Sequence, residues 1–79
     1  MAKLTIRISR NFGTNDLDFN AVTPRQIIDN MRGTLPDLPQ GLKWVMLKGG
    51  NFIDHDVSLD KLGFKDADTA ELIALVEGA

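Results

Sequence analysis

The chain has no cysteine, a single histidine and no long apolar run among its 79 residues. Without cysteine a disulfide scaffold is excluded, and a reducing compartment is allowed. No segment approaches the ~20 apolar residues of a membrane-spanning helix. The start, MAKLTIRISR, lacks the apolar centre of a signal peptide. We therefore expect a cytoplasmic protein that does not insert into the membrane.

An excess of positive charge is also missing, since nine basic residues face eleven acidic ones. This balance argues against a nucleic-acid partner. Lys3 and Arg7 fall on one side of a predicted strand, where charged side chains commonly protect sheet edges. A chain of this length buries only about 60–65% of the surface of its unfolded form, so we expect one domain over residues 1–79 with a small core.

Catalytic and metal-binding patterns are sparse. His55 stands between Asp54 and Asp56, but adjacent residues of an extended chain point apart, and such a polar loop is more typical of a solvated turn. The chain contains neither a cysteine nucleophile nor a phosphate-binding loop. So short a chain also leaves little room for a catalytic pocket. We therefore expect a protein that is not an enzyme and that holds no metal and no cofactor.

Hydrophobic periodicity predicts the first half of the fold. Residues 3–9 alternate between apolar and polar, which indicates a half-buried strand. A second alternating segment follows a loop that we expect to exceed two residues and to turn at Gly13. A helix is predicted over residues 24–32, because Thr23 and Gln26 form a capping-box pattern around Pro24 and glycine follows at position 33.

The second half adds three further strands. LKWVML is predicted as a strand that turns at two glycines into a short strand beginning at Phe52. A single helical turn is expected around residues 58–62, and a last strand over residues 70–77. The order is strand, strand, helix, strand, strand, turn, strand. It predicts an α+β fold of the β-grasp type, with one helix on a mixed sheet of four to five strands.

The segments SLDKLGF, before the last strand, and LPDLP, after the helix, resemble ubiquitin-like domains. Within that group, FGTNDL, TPRQIID and LKWVMLKGG resemble the YukD/EsaB family of bacterial ubiquitin-like proteins. The resemblance implies an accessory or regulatory component of a type VII secretion system. Its expected partner is a membrane-anchored secretion component, such as a pseudokinase-like or ATPase subunit, bound without conjugation.

The third strand is apolar on both faces, which a small surface strand rarely is. The resemblance implies that one face packs on the helix and that the other lies in solvent beside the last strand. Leu42, Trp44 and Met46 then face the helix. The predicted partner-binding patch on the open face consists of Val45, Leu47, Ile73 and Leu75. A register shifted by one residue, scattered surface apolar residues and a homodimer contact are the alternatives.

Two other functions fit a fold of this kind. A ubiquitin-like modifier or sulfur carrier needs a C-terminal Gly-Gly on a flexible tail, whereas this chain ends in LVEGA and reaches roughly 7 Å past the last strand. The sequence therefore argues against conjugation. The other alternative is a small effector subunit of an enzyme complex such as an oxygenase.

Overall fold

The computed structural model describes residues 1–77, in which five strands and one helix are present. The predicted mixed sheet with one helix is confirmed, and its strand order is β2-β1-β5-β3-β4. Strands β1 and β5 run parallel, and the other neighbours are antiparallel. The elements are β1 (Ala2–Ile8), β2 (Asn11–Leu17), α1 (Pro24–Met31), β3 (Leu42–Lys48), β4 (Asn51–Phe52) and β5 (Asp68–Val76).

The first hairpin is tighter than the sequence predicts. Ile8 lies opposite Asn11, so only residues 9–10 connect the strands, and Gly13 lies inside β2 opposite Ile6. The expected longer loop that turns at Gly13 is wrong. Ser9 takes the positive φ of 56° instead. The pattern misled because β2 is exposed along nearly its whole length and therefore carries no apolar alternation in its first half.

The helix begins as predicted. The Thr23 hydroxyl accepts a hydrogen bond from the Gln26 backbone N–H, and the Gln26 side chain accepts one from the Thr23 N–H. The helix ends at Met31, and Arg32 is its C-cap in a right-handed conformation. The expected glycine cap at position 33 is therefore wrong. Instead, the N–H groups of residues 34 and 35 both donate to the Met31 carbonyl and close the last turn.

The core lies between the sheet and one side of α1. Trp44 packs against it and is half-buried, while Met46 is fully buried, so the predicted register of β3 is confirmed. Ala74 lies opposite Trp44 on the helix side of the sheet and is nevertheless exposed. The buried core comprises Leu4, Ile6, Phe19, Ile27, Ile28, Leu35, Met46, Leu59, Phe64, Ala70 and Leu72.

The segment between β4 and β5 contains the predicted helical turn, in which the Leu62 N–H donates to the Ser58 carbonyl at 3.1 Å. Backbone hydrogen bonds from Leu59 to Val22 and from residue 60 to Phe19 tie this turn to the segment that precedes the helix. In residues 1–77 no helix is long and apolar enough to cross a membrane. Gly78 and Ala79, on which the argument against conjugation depends, lie outside the described residues.

Ala67 occupies the turn before β5 with a φ of +70°, a left-handed conformation that disfavours any side chain. The turn is fixed to β1, because the Ala67 N–H donates to the Lys3 carbonyl and the Asp66 carboxylate accepts from the Lys3 N–H, both at 2.8 Å. We expect Ala67→Gly to raise the free energy of unfolding by about 0.5 kcal/mol, since relief of strain exceeds the added entropy of the unfolded chain.

Urea unfolding of both proteins checks this prediction. The matched control is Ala74→Gly, in the extended backbone of β5, which we expect to lower the free energy of unfolding by about 0.5–1 kcal/mol. Loss of stability in both variants would contradict the assignment of strain to Ala67.

Candidate functional site

The four residues of the predicted patch lie on the open face of the sheet, opposite the helix. Val45 is the cross-strand partner of Ile73, so their side chains share one face. Their neighbours along the two strands, Met46 and Leu72, lie in the core. Because side chains alternate along a strand, Leu47 and Leu75 also point to the open face.

Exposure within this patch is uneven. Val45 is 6% exposed and Leu47 is 8% exposed, so the expectation that both present apolar surface to a partner is wrong. Both lie on β3, which is flanked on this face by side chains of its neighbouring strands; Leu47 has Glu71 on one side and Phe52 on the other. The more accessible members are Ile73 and Leu75, which are half-buried. The two residues of β3 therefore form the floor of the patch.

Two exposed aromatic residues that the sequence analysis did not assign to the patch extend this surface. Phe12 is 67% exposed and Phe52 is 66% exposed. The register places them at opposite ends of one row across all five strands of the open face. That row is Phe12, Arg7, Glu71, Leu47 and Phe52.

Charge is interleaved with these apolar groups. The Arg7 guanidinium carbon lies 5.6 Å from the centre of the Phe12 ring, a cation–π distance, and its Nε donates to the Ser9 carbonyl at 3.2 Å. Glu71 separates Arg7 from Leu47. A surface that alternates aromatic, basic, acidic and aliphatic groups offers both hydrophobic contact and oriented polar contacts, which is typical of protein interfaces.

His55 has a structural role in place of the expected solvated turn. It is half-buried, and its Nε2 accepts a hydrogen bond from the Met46 backbone N–H at 2.8 Å. Acceptance at Nε2 requires the neutral ring with its proton on Nδ1. Burial lowers the pKa of His55 below its ordinary value, and the positive charge of Arg25 acts in the same direction. The turn interpretation failed because this partner lies nine residues away on β3.

The flanking carboxylates serve other contacts. Asp56 binds the Arg25 guanidinium through two hydrogen bonds of 2.7 and 3.2 Å, which lower the pKa of the carboxyl and raise that of the guanidinium. Asp54 accepts from the Asp56 backbone N–H at 2.9 Å. Within residues 1–77, no three histidine, cysteine or acidic side chains are placed to hold a metal ion.

Comparisons with known proteins bear on the fold alone. No protein-family model matches the chain, and no curated protein matches it. Among solved structures, the EccD5 ubiquitin-like domain of Mycobacterium xenopi is 20% identical, with a TM-score of 0.70 over 96% of each chain. A computationally designed protein based on human erythrocytic ubiquitin is 18% identical, with a TM-score of 0.71 over 100% of this chain and 98% of the other.

A third similar structure is ATBAG1 in complex with HSP70, which is 17% identical with a TM-score of 0.72 over 92% of this chain and 40% of that one. At these identities the similarity shows the fold. Together with the observed strand order, it establishes that the chain has the ubiquitin-like β-grasp fold.

Proposed function

We propose that this protein is a non-catalytic, ubiquitin-like binding module whose open face docks on a protein partner. The observation that carries the proposal is the grouping of Phe12 and Phe52, each two-thirds exposed, with Ile73 and Leu75 on one face of the sheet. Exposed aromatic side chains supply most of the binding energy in many protein interfaces. A partner that covers this face would remove both rings from water, which is favourable by roughly 25 cal/mol per Å² of apolar surface.

The setting that we propose is bacterial type VII secretion. The module would act in the cytoplasm as an accessory or regulatory component and would dock on a membrane-anchored secretion component. Two independent observations support this: the segments that resemble the YukD/EsaB family, and the structural similarity to an EccD5 ubiquitin-like domain at 20% identity. The first is a likeness of sequence and the second a likeness of fold.

A non-catalytic role agrees with the state of His55. The Nε2 atom that would accept a substrate proton is already occupied by the Met46 N–H, and the ring is held in place by that bond. Asp56 is likewise engaged by Arg25. His55 could not act in acid–base chemistry without losing its bond to the Met46 N–H, and Asp56 would first have to leave its surface ion pair with Arg25.

The experiment that tests the docking surface is Ile73→Asp in the full chain, used as bait for proteins from the native cells and then titrated against the recovered partner. Ile73 is half-buried at the surface, so the fold tolerates the change, whereas an unpaired carboxylate in an interface is strongly unfavourable. We expect binding to weaken at least about 30-fold, which corresponds to about 2 kcal/mol.

Asn30→Asp is the matched control, because it also adds one negative charge but lies exposed on the helix, away from the open face. Its binding should equal that of the wild type, and circular dichroism should show both variants folded. A folded Ile73→Asp protein that still binds at wild-type affinity would overturn the docking surface. Recovery of covalent adducts through the C-terminus would instead favour a modifier.

A further inference from the structure

Strand β3 has a free edge beside the helix. Three backbone N–H groups of β3 point away from β5. The Leu42 N–H donates to the Pro39 carbonyl at 3.2 Å, and the Met46 N–H donates to His55 Nε2. The third belongs to Lys48, which pairs with Asn51 at the turn to β4. Because every second residue of a strand points its backbone groups to the same side, those of Trp44 point there too. Within residues 1–77, no hydrogen bond outside the strand ladders involves the N–H or the C=O of Trp44, and the alternation along β3 directs both groups away from β5.

The edge is free because β4 has only two residues and ends at Phe52. Beyond it the chain turns toward the helix and brings His55 to Met46, instead of continuing the ladder to Trp44. A cavity of about 550 Å³ lies at this edge, bounded by α1 and the segment after it, by β3, by the stretch from Phe52 to His55 and by Leu75 of β5. Its apolar lining includes Ile28, Leu35, Trp44 and Ile53.

We propose that this edge binds an extended segment of a partner protein, which adds to the sheet as a short antiparallel strand opposite Trp44. An antiparallel residue exchanges both of its backbone hydrogen bonds with one opposite residue, so a single peptide residue satisfies both free groups of Trp44. This site overlaps the open face at Val45, Phe52 and Leu75, which also line the cavity, but it goes beyond that surface because it uses the backbone edge of Trp44 and does not include Ile73.

The sheet geometry specifies the side chains of the ligand. The residue opposite Trp44 shares its face, enters the cavity between Ile28 and Ile53, and must therefore be apolar. The preceding peptide residue lies opposite Val45 on the other face and contacts an apolar floor. The following residue lies opposite Lys43, where an acidic side chain forms the favourable cross-strand pair.

The charge preference rests on Lys43 alone and is confined to the peptide position opposite it, because the two arginines that line the cavity are already paired. Asp29 and Asp37 also line the cavity, and only Asp29 is paired with an arginine in the described residues. Arg25 is bound to Asp56 at 2.7 Å and Arg32 to Asp29 at 3.1 Å. Lys43 is exposed and has no ion pair in the part of the chain that the structure describes. The ligand class is therefore an extended segment of the order apolar, apolar, acidic.

The test titrates the peptide acetyl-Ser-Gly-Val-Ile-Asp-Gly-Ser-amide into the ¹⁵N-labelled full chain. Trp44 is the sole tryptophan, so its amide resonance and its fluorescence both report on this edge. We expect a downfield shift of the Trp44 amide and slower hydrogen exchange at that group. A peptide methylated on the isoleucine amide nitrogen should bind about tenfold more weakly, since it cannot donate to the Trp44 carbonyl.

Methylation of the aspartate amide is the matched control, because that N–H points away from β3 and its loss should leave binding nearly unchanged. Lys43→Glu should reverse the preference between the Asp peptide and its Lys counterpart.

Equal weakening by both methylations, or no response of Trp44 at millimolar peptide, would overturn the proposal. So would a Trp44 shift that depends on protein concentration without peptide, which would assign the edge to a second copy. An Ile73→Asp protein should still bind the peptide, so failure at the open face and failure here remain distinguishable.

Discussion

Replacing Leu59 with alanine should lower the free energy of unfolding by about 3 kcal/mol, within the 2–5 kcal/mol range of buried Leu→Ala changes. Leu59 is 0% exposed although it lies in a segment without strand or regular helix. Its backbone explains why it cannot move away from the space that the smaller side chain leaves. The Leu59 N–H donates to the Val22 carbonyl at 3.0 Å, and its carbonyl accepts from Phe64 at 3.1 Å. The cavity therefore stays open.

The loss is large for this chain, because a domain of 79 residues has a total stability of roughly 4–12 kcal/mol. Urea unfolding followed by circular dichroism and by the fluorescence of Trp44 measures it. Leu62→Ala, three positions along the same turn at a half-buried site, is the control and should cost about 1 kcal/mol. Equal losses in the two variants would show that Leu59 does not anchor this segment to the core.

Elements with a strong local signal could be predicted from the sequence. The alternation of residues 3–9 and the capping box at Thr23 depend on neighbours within four positions, and both are confirmed. The segment around Leu59 could be predicted only in part. Its helical turn is local, but its anchoring depends on Val22 and Phe19, about forty residues earlier, which no local pattern reveals.

The open face was harder to predict for a related reason. Alternation assigned Val45 and Ile73 to the same face, but alternation does not measure how far neighbouring strands cover a residue. The strand register places Phe12 and Phe52 on this surface, and that register crosses all five strands. It could not be predicted, because β2 lacks apolar alternation and β4 has only two residues. The signal that could have identified them is the presence of two aromatic residues in otherwise polar segments of an aromatic-poor chain.

The second large effect concerns His55, whose Nε2 accepts the Met46 N–H only while the ring is neutral. Its pKa in the folded protein lies below the ordinary value of 6.5, chiefly because of burial and further because of Arg25. A hydrogen bond to the Ile53 backbone opposes the shift, and the charges of Asp54 and Asp56 oppose it to a smaller extent. At a pH between the lowered pKa of the folded protein and the ordinary pKa of 6.5, His55 is more often protonated in the unfolded chain than in the folded one. The stabilisation is therefore fully present above about pH 6.5 and is lost as the pH falls toward the folded-state pKa.

His55→Leu should remove this pH dependence and also lower the free energy of unfolding at pH 8 by about 1–3 kcal/mol, because the Met46 N–H loses its acceptor. The measurement is the free energy of unfolding in urea between pH 5 and pH 8 for both proteins. His55 is the single histidine of the chain, and histidine is the side chain whose ordinary pKa lies inside this pH window. A wild-type curve that is flat from pH 8 to pH 5, or one that parallels the variant's, would show that the bond to Met46 does not depend on the neutral ring. A slope found only in the wild type would establish that protonation of the His55 imidazole, which accepts the Met46 N–H on β3, makes the stability of the fold sensitive to acid.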